Sequence, residues 1–454
     1  MYKFTFLALI SLIGFQQEST QKTGATYSRE QLVQDLDYFT ESLIQIHPNP
    51  FAYYEKERFE KAVDSVKSNL PDQLNRIEFA KRIIPLSTLL NDGHTEIDTP
   101  IEEYNSFKES GFIFPYQVSI DQNQISILVS DQNEAEEKKV LSINGISTDE
   151  LLKEMRTYTS AELASFQDIV IEKRFAKFIW FILGEVESFE VELKGDSETL
   201  LIKKADKDSG NQIRNKDVVI PNHSFRISEE LNTGILEFNS MVRKDEFDQL
   251  LKLSFKEMEE RNIKKLIVDL RENSGGNSEL GTSLLNYLSD KPFKQVDKML
   301  VRASKKQKKY IRENYVPWYV YPFAFFTKVG RATFAKEGKE TEIVFDLEKP
   351  KYSFEGESIF ITSNFTFSSA SILTNTIKCY EIGTIVGEET GGLTIFYGDN
   401  IGFELPNTKL TGTISFKKFY LPCGEEKLQG VVPDIHIDNV QNLSVEEIIK
   451  NYSL

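Results

Sequence analysis

Only two cysteines and four histidines occur among the 454 residues. No stretch reaches the roughly 18 apolar residues that a membrane-spanning helix needs. Cys379 and Cys423 make no disulfide framework, and two cysteines leave the redox compartment open. There is no His-x-x-x-His and no paired-cysteine spacing, so the sequence implies no metal and no cofactor. Basic charge is in deficit, with 54 Lys+Arg against 70 Asp+Glu and a net charge of −16. That balance argues against a nucleic-acid partner, for which a basic face is expected, and an acidic surface by itself mostly confers solubility. Internal repeats and low-complexity tracts are missing. What remains is an ordinary soluble composition, long enough for roughly two to four domains.

The N-terminus stands apart. Lys3 precedes the apolar run Phe4–Phe15, followed by Gln16-Gln17-Glu18-Ser19. This pattern reads as a secretory signal peptide over about residues 1–20, and hence an exported protein, periplasmic or extracellular. No cysteine follows that could carry a lipid anchor. Ser28 is a candidate helix N-cap with Gln31 three residues on, and Leu32, Leu36, Phe39 and Leu43 share one face. Further amphipathic runs cover about Glu55–Asn69 and Asn75–Leu90, giving an N-terminal helical domain over 26–110. From Gly111 the period changes to that of strands, Phe112–Ile120 and Ile125–Val129. Val140–Ser147 and a helix Thr148–Met155 follow, and the strand pair Phe189–Leu193 and Thr199–Lys203 closes a β-rich module over 111–205. A charged linker (Lys204–Asn215) leads to 216–454, where strands alternate with helices as in an α/β core. An insertion at 291–351 carries the aromatic run Tyr315–Phe326.

Three stretches of the core carry chemistry. Leu266-Ile267-Val268-Asp269-Leu270-Arg271-Glu272-Asn273-Ser274-Gly275-Gly276-Asn277 reads as a buried strand running into a glycine turn and a helix, Ser278–Leu288. Ser358-Ile359-Phe360-Ile361-Thr362 leads into Asn364-Phe365-Thr366-Phe367-Ser368-Ser369-Ala370-Ser371, a strand-to-helix corner. Thr384-Ile385-Val386-Gly387-Glu388-Glu389-Thr390-Gly391-Gly392 is a third strand ending in glycines. A serine at such a corner exposes its hydroxyl beside helix N-terminal amides that can stabilise an oxyanion. The competing reading of Ser368 is helix capping.

Together and in this order, the three stretches resemble the C-terminal processing, or tail-specific, serine protease family. The likeness runs from about Thr233 to the C-terminus. It implies a ClpP/crotonase-like βαβ protease core with Ser368 as nucleophile, and backbone amides of Gly275 or Gly276 and of Ser369 as the oxyanion hole. Leu-Ser-Ile-Asn-Gly at 141–145 resembles a strand-turn of the family's PDZ domains. The usual preceding glycine is replaced by Glu136-Glu137-Lys138-Lys139. One branch of the family uses a lysine base just after the Gly-Glu-x-Thr-x-Gly turn. Leu393 falls there, so that dyad is excluded. The tricorn-core and retinoid-binding-protein-like branch uses a histidine in an Asp-Gly-His motif, which matches Asp92-Gly93-His94. His47, before Pro48, reads as structural; His223 lies in a loop and His436 in a terminal strand. The branch supports its histidine with a serine, which has no recognisable counterpart here, and a C-terminal glutamate. Glu426 matches that glutamate best, with Glu425 next.

These readings imply an exported serine peptidase, an endopeptidase or carboxyl-terminal processing enzyme acting on protein or peptide substrates. Trp318 and Tyr319 are candidate substrate contacts in a lid formed by the insertion. The rival is a non-catalytic binding homologue on the same fold. An inactive homologue is free to lose Ser368 or His94, and both are present. A lipase or esterase would carry Gly-x-Ser-x-Gly, which Phe367-Ser368-Ser369 does not supply.

Overall fold

Leu266-Ile267-Val268 and Ile359-Phe360-Ile361 are apolar at consecutive positions, as strands covered on both faces must be. They lie side by side at the centre of a six-stranded sheet. A computed structural model describes residues 24–131, 134–204, 220–314, 326–352, 354–452 and 454. The expected signal peptide, most of the 204–215 linker, and Trp318 and Tyr319 lie outside the described residues.

The central sheet places its strands in chain order: His223–Ser228, Thr233–Phe238, Lys265–Asp269, Glu357–Thr362, Thr384–Gly387 and Ile435–His436. The first pair is antiparallel and the rest are parallel. Helices Lys244–Glu260, Glu279–Leu288 and Ser369–Tyr380 bury one face under Phe247, Leu284 and Leu373. The terminal helix Val445–Tyr452 covers the other with Val445, Ile448 and Ile449. Because neighbouring strands are parallel, their carboxyl ends open on one side, where α/β folds place their sites.

A second sheet is antiparallel, in the order Glu340–Val344, Lys298–Arg302, Thr411–Tyr420, Ile395–Glu404. Its first two strands come from the 291–351 insertion, so that segment is part of the framework as well as a loop. The short strand Glu96–Ile97 pairs with Gly412 and Thr413 of this sheet. The first helices pack on it too. Helix Arg29–Ile46 starts on a capping box between Ser28 and Gln31, and Leu32, Leu36, Phe39 and Leu43 join Ile401, Leu410 and Ile414 in one core.

The third sheet is built from Val118–Asp121, Gln124–Asp131, Glu134–Ile143, Ser188–Leu193 and Leu200–Lys203. Its first strand begins at Val118, not at Phe112. Phe112 and Phe114 are buried from an extended approach to the sheet. Helix Ala164–Leu183 has no counterpart in the sequence reading. Its sequence is apolar nearly all round, which blurs helical periodicity. Ile171, Phe175 and Phe178 face the third sheet, while Phe166 and Val170 face Phe367 beside Ser368. Among the described residues no helix is long and apolar enough to cross a membrane.

Candidate active site

Ser368 sits where strand Glu357–Thr362 turns into helix Ser369–Tyr380, in a backbone conformation of φ +50° and ψ −122°. Side chains other than glycine rarely occupy that region, and the surroundings hold it there. Hydroxyls lace the turn. Thr366 Oγ1 donates to the Leu270 carbonyl at 2.9 Å, Ser363 Oγ to the Arg271 carbonyl at 2.8 Å, and Ser371 Oγ to the Thr366 carbonyl at 2.9 Å. Ser368 occupies the N-cap position, yet its side chain makes no capping bond. Its Oγ lies 3.0 Å from His94 Nε2 instead.

The glycine turn abuts this corner. Gly275 and Gly276 have φ of +107° and +133°. A Cβ on Gly275 would lie 2.8 Å from Ser368 Cβ and 2.9 Å from the Ser369 nitrogen, so only glycine allows this approach. Ser369 Oγ donates to the Gly276 carbonyl at 2.7 Å and ties the two turns together. The Gly275 N–H is occupied, donating to Asn273 Oδ1 at 2.9 Å. That corrects its expected place among oxyanion donors. The N–H groups of Gly276 and Ser369 have no acceptor among the described residues.

His94 arrives from the N-terminal helices. Helix Arg76–Thr88 leads to Asp92, whose Oδ1 accepts the His94 N–H at 2.9 Å. Strand Glu96–Ile97 then joins the second sheet. Thr413 Oγ1 donates to the His94 carbonyl at 3.0 Å, and the Ser415 N–H to Thr95 Oγ1 at 3.0 Å. The imidazole is stacked between Phe367 and Phe396, with ring centroids 4.7 and 5.7 Å away, and Phe166 stacks on Phe367 at 4.0 Å. Burial, the largest influence, lowers the His94 pKa; Asp92 and Asp399 oppose it. The ring is therefore neutral and able to accept a proton.

His47 is structural, as its sequence context suggests, but it serves the site. The Asn49 N–H donates to His47 Nδ1 at 3.0 Å, which leaves the proton on Nε2 to be donated to Asp92 Oδ2 at 2.9 Å. Thr95 Oγ1 adds a 2.6 Å bond to the same oxygen. Burial alone would raise the Asp92 pKa. The hydrogen bond from His47, with that from Thr95, outweighs it and holds the carboxyl below its ordinary range. His223 and His436 are engaged elsewhere, against Phe247 and Asp438.

The expected carboxylate support is not formed. Glu426 is exposed and accepts from Lys418 Nζ at 2.8 Å, and Glu425 pairs with Lys427. Each glutamate has a lysine closer than the imidazole and stays in the solvated turn. His94 Nδ1 is buried without a hydrogen bond of ordinary geometry; the nearby Tyr397 backbone only adds to the ring's proton affinity. The acidic groups beside the site are Asp92 and Glu162. The sequence reading passed over Glu162, Phe367 and Phe396. Only Asp92 had a signal, its place in the Asp-Gly-His motif. Leu393, at the alternative lysine position, is buried with Ile372, Phe396 and Leu421.

Residues 232–437 match the model of peptidase family S41. This region belongs to that family. The S41 fold is one of serine peptidases, built as here from mixed α/β sheets and helices. Mature CPAF superimposes with a TM-score of 0.60 at 15% identity, covering 94% of this chain and 99% of its own. Mature CPAF complexed with lactacystin gives 0.58 at 14% identity over 90% and 94% of the two chains. The photosystem II D1 C-terminal processing protease gives 0.46 at 14% identity over 92% and 96%. No curated protein matches the sequence. At these identities the likeness to CPAF is one of fold.

Proposed function

We propose that this chain is an exported serine peptidase that cleaves protein or peptide substrates through an acyl-enzyme. The observation that carries the reading is the 3.0 Å approach of His94 Nε2 to a Ser368 hydroxyl that its helix does not use as a cap. His94 takes the hydroxyl proton as Ser368 Oγ attacks the peptide carbonyl. The Gly276 and Ser369 amides receive the oxyanion. The imidazolium then protonates the leaving amine, and a water activated by the neutral ring releases the acyl group.

In this reading orientation of the base comes from the Phe367–His94–Phe396 stack and from Asp92, fixed by His47, rather than from Glu426. Residues 26–110 act as an N-terminal helical domain that delivers the base. The sheet of 111–205 is a PDZ-like module, and Trp318 and Tyr319 of the insertion contact substrate. Cys379, on the nucleophile helix, is joined to Cys423 by a disulfide. Such bonds persist in oxidising compartments, which supports export to the periplasm or beyond. The test is labelling of the full chain with a fluorophosphonate, followed by peptide mapping. Modification of Ser368 is expected. An unlabelled, folded chain would overturn the reading in favour of a non-catalytic binding homologue.

A further inference from the structure

Asp92, His94 and Glu162 each bring one ligand-type atom to within 4.8 Å of the other two. Glu162 enters from the turn before helix Ala164–Leu183 and lies against the Asp-Gly-His turn; a Cβ on Gly93 would be 2.8 Å from its Oε2. Both Glu162 carboxylate oxygens and His94 Nδ1 are buried and make no hydrogen bond of ordinary geometry; only the Glu162 and Gly93 amides approach the carboxylate and only the Tyr397 backbone the ring nitrogen. Among the described residues no lysine or arginine pairs with either carboxylate; Asp92 has only His47. Two buried carboxylates side by side must be neutralised, by a proton or by a cation. Burial, and then the charge of Asp92, pushes Glu162 up to about 8, so the proton is the default occupant.

We propose that Asp92, His94 and Glu162 form a zinc site through which Zn2+ inhibits the enzyme. The inhibitory half rests on the peptidase reading above; the binding half does not. One imidazole and two carboxylates suit zinc, whereas magnesium and calcium favour all-oxygen sets of higher coordination number. Zinc bonds of about 2.0–2.2 Å need the donor atoms closer together than they stand. Glu162 can close that gap, since only its own amide and that of Gly93 approach its carboxylate, neither in a hydrogen bond of ordinary geometry. Asp92 keeps its bonds to His47 and Thr95 on Oδ2 and to the His94 amide on Oδ1, and Oδ1 retains a second lone pair for the metal.

Inhibition follows whichever ring nitrogen binds the metal. On Nδ1, zinc leaves the ring's remaining proton on Nε2, which can then donate to Ser368 but cannot accept from it. On Nε2, it displaces Ser368 outright.

The experiment is isothermal titration calorimetry of the metal-free full chain with ZnCl2, paired with peptidase assays at the same zinc concentrations. One zinc per chain is expected, with activity lost in step with occupancy. Glu162→Gln should weaken zinc binding, and inhibition measured against its own metal-free rate, by about tenfold or more. His436→Ala, which alters the exposed His436–Asp438 pair, should leave both unchanged. An anomalous-diffraction map of zinc-soaked wild-type crystals, independent of how any variant folds, should show the ion between Asp92, His94 and Glu162. Absence of stoichiometric binding, an ion located elsewhere, or unchanged affinity in Glu162→Gln overturns the proposal. If the chain has no peptidase activity, the calorimetry and the map still decide the site, while the peptidase reading fails separately.

Discussion

His47 donates from Nε2 to Asp92 Oδ2 at 2.9 Å, while Asp92 Oδ1 receives the backbone N–H of His94 at 2.9 Å. One buried carboxylate thus carries three donors, counting Thr95, and fixes the turn that presents the imidazole. Asp92→Asn keeps the shape but has a single acceptor oxygen and an NH2 that faces donors. The expected result is a fall in kcat of about 10- to 100-fold with KM little changed, because the ring loses its setting while substrate contacts remain. Stability should drop by about 1–3 kcal/mol, read by urea unfolding. Wild-type kcat in this variant would remove Asp92 from the positioning role.

Ser368 and Ser369 separate in a second experiment. Ser368→Ala should abolish fluorophosphonate labelling and lower peptidase activity by about four orders of magnitude or more. Unfolding should be near wild type, since the hydroxyl does not cap the helix. Ser369→Ala loses the bond to the Gly276 carbonyl, worth about 1 kcal/mol, and should still label. The reverse pattern would make Ser369 the nucleophile.

The core was legible because its signals are local. Val268-Asp269-Leu270-Arg271 and the Ser368 corner each combine an apolar strand, a turn and a helix within about a dozen residues. His94 was reachable only through its Asp-Gly-His context, because the pairing of Glu96–Ile97 with Gly412 and Thr413 is long-range and leaves no periodic trace. The support for His94 was misread for a related reason. Sequence offers carboxylates by type, and Glu426 fitted by its distance along the chain. Nothing in the sequence shows that Lys418 claims it, or that Phe367 and Phe396 flank the ring from two different segments. Glu162 was invisible because a lone glutamate before a helix reads as solvated.

The acid limb of the pH–rate profile reports His94. Burial lowers its pKa from 6.5, and the neutral ring is the active base. kcat/KM should therefore rise with pH as the ring loses its proton, with a midpoint below 6.5. Replacing Phe396 by Leu opens one face of the ring to water and should move the midpoint upward, as the desolvation that lowers it is relieved. A midpoint above 6.5 in the wild type would mean that charge from Asp92 and Asp399 outweighs burial.

Glu162 makes a prediction about stability that needs neither zinc nor catalysis. Its folded pKa of about 8 lies above the 4.5 of the free side chain. The folded state therefore holds the Glu162 proton over a range where the unfolded chain has released it. Stability from this group is fully present below pH 4.5 and is lost as pH rises from 4.5 through 8. Glu162→Gln is neutral at every pH and escapes that loss. In chelator-treated buffer, urea unfolding of wild type and variant should show Gln gaining on Glu between pH 5 and pH 9, by on the order of 1–3 kcal/mol. A constant difference across that range would mean that Glu162 is already ionised in the folded protein at pH 5, with a counter-charge that the Asp92–His94 cluster does not contain.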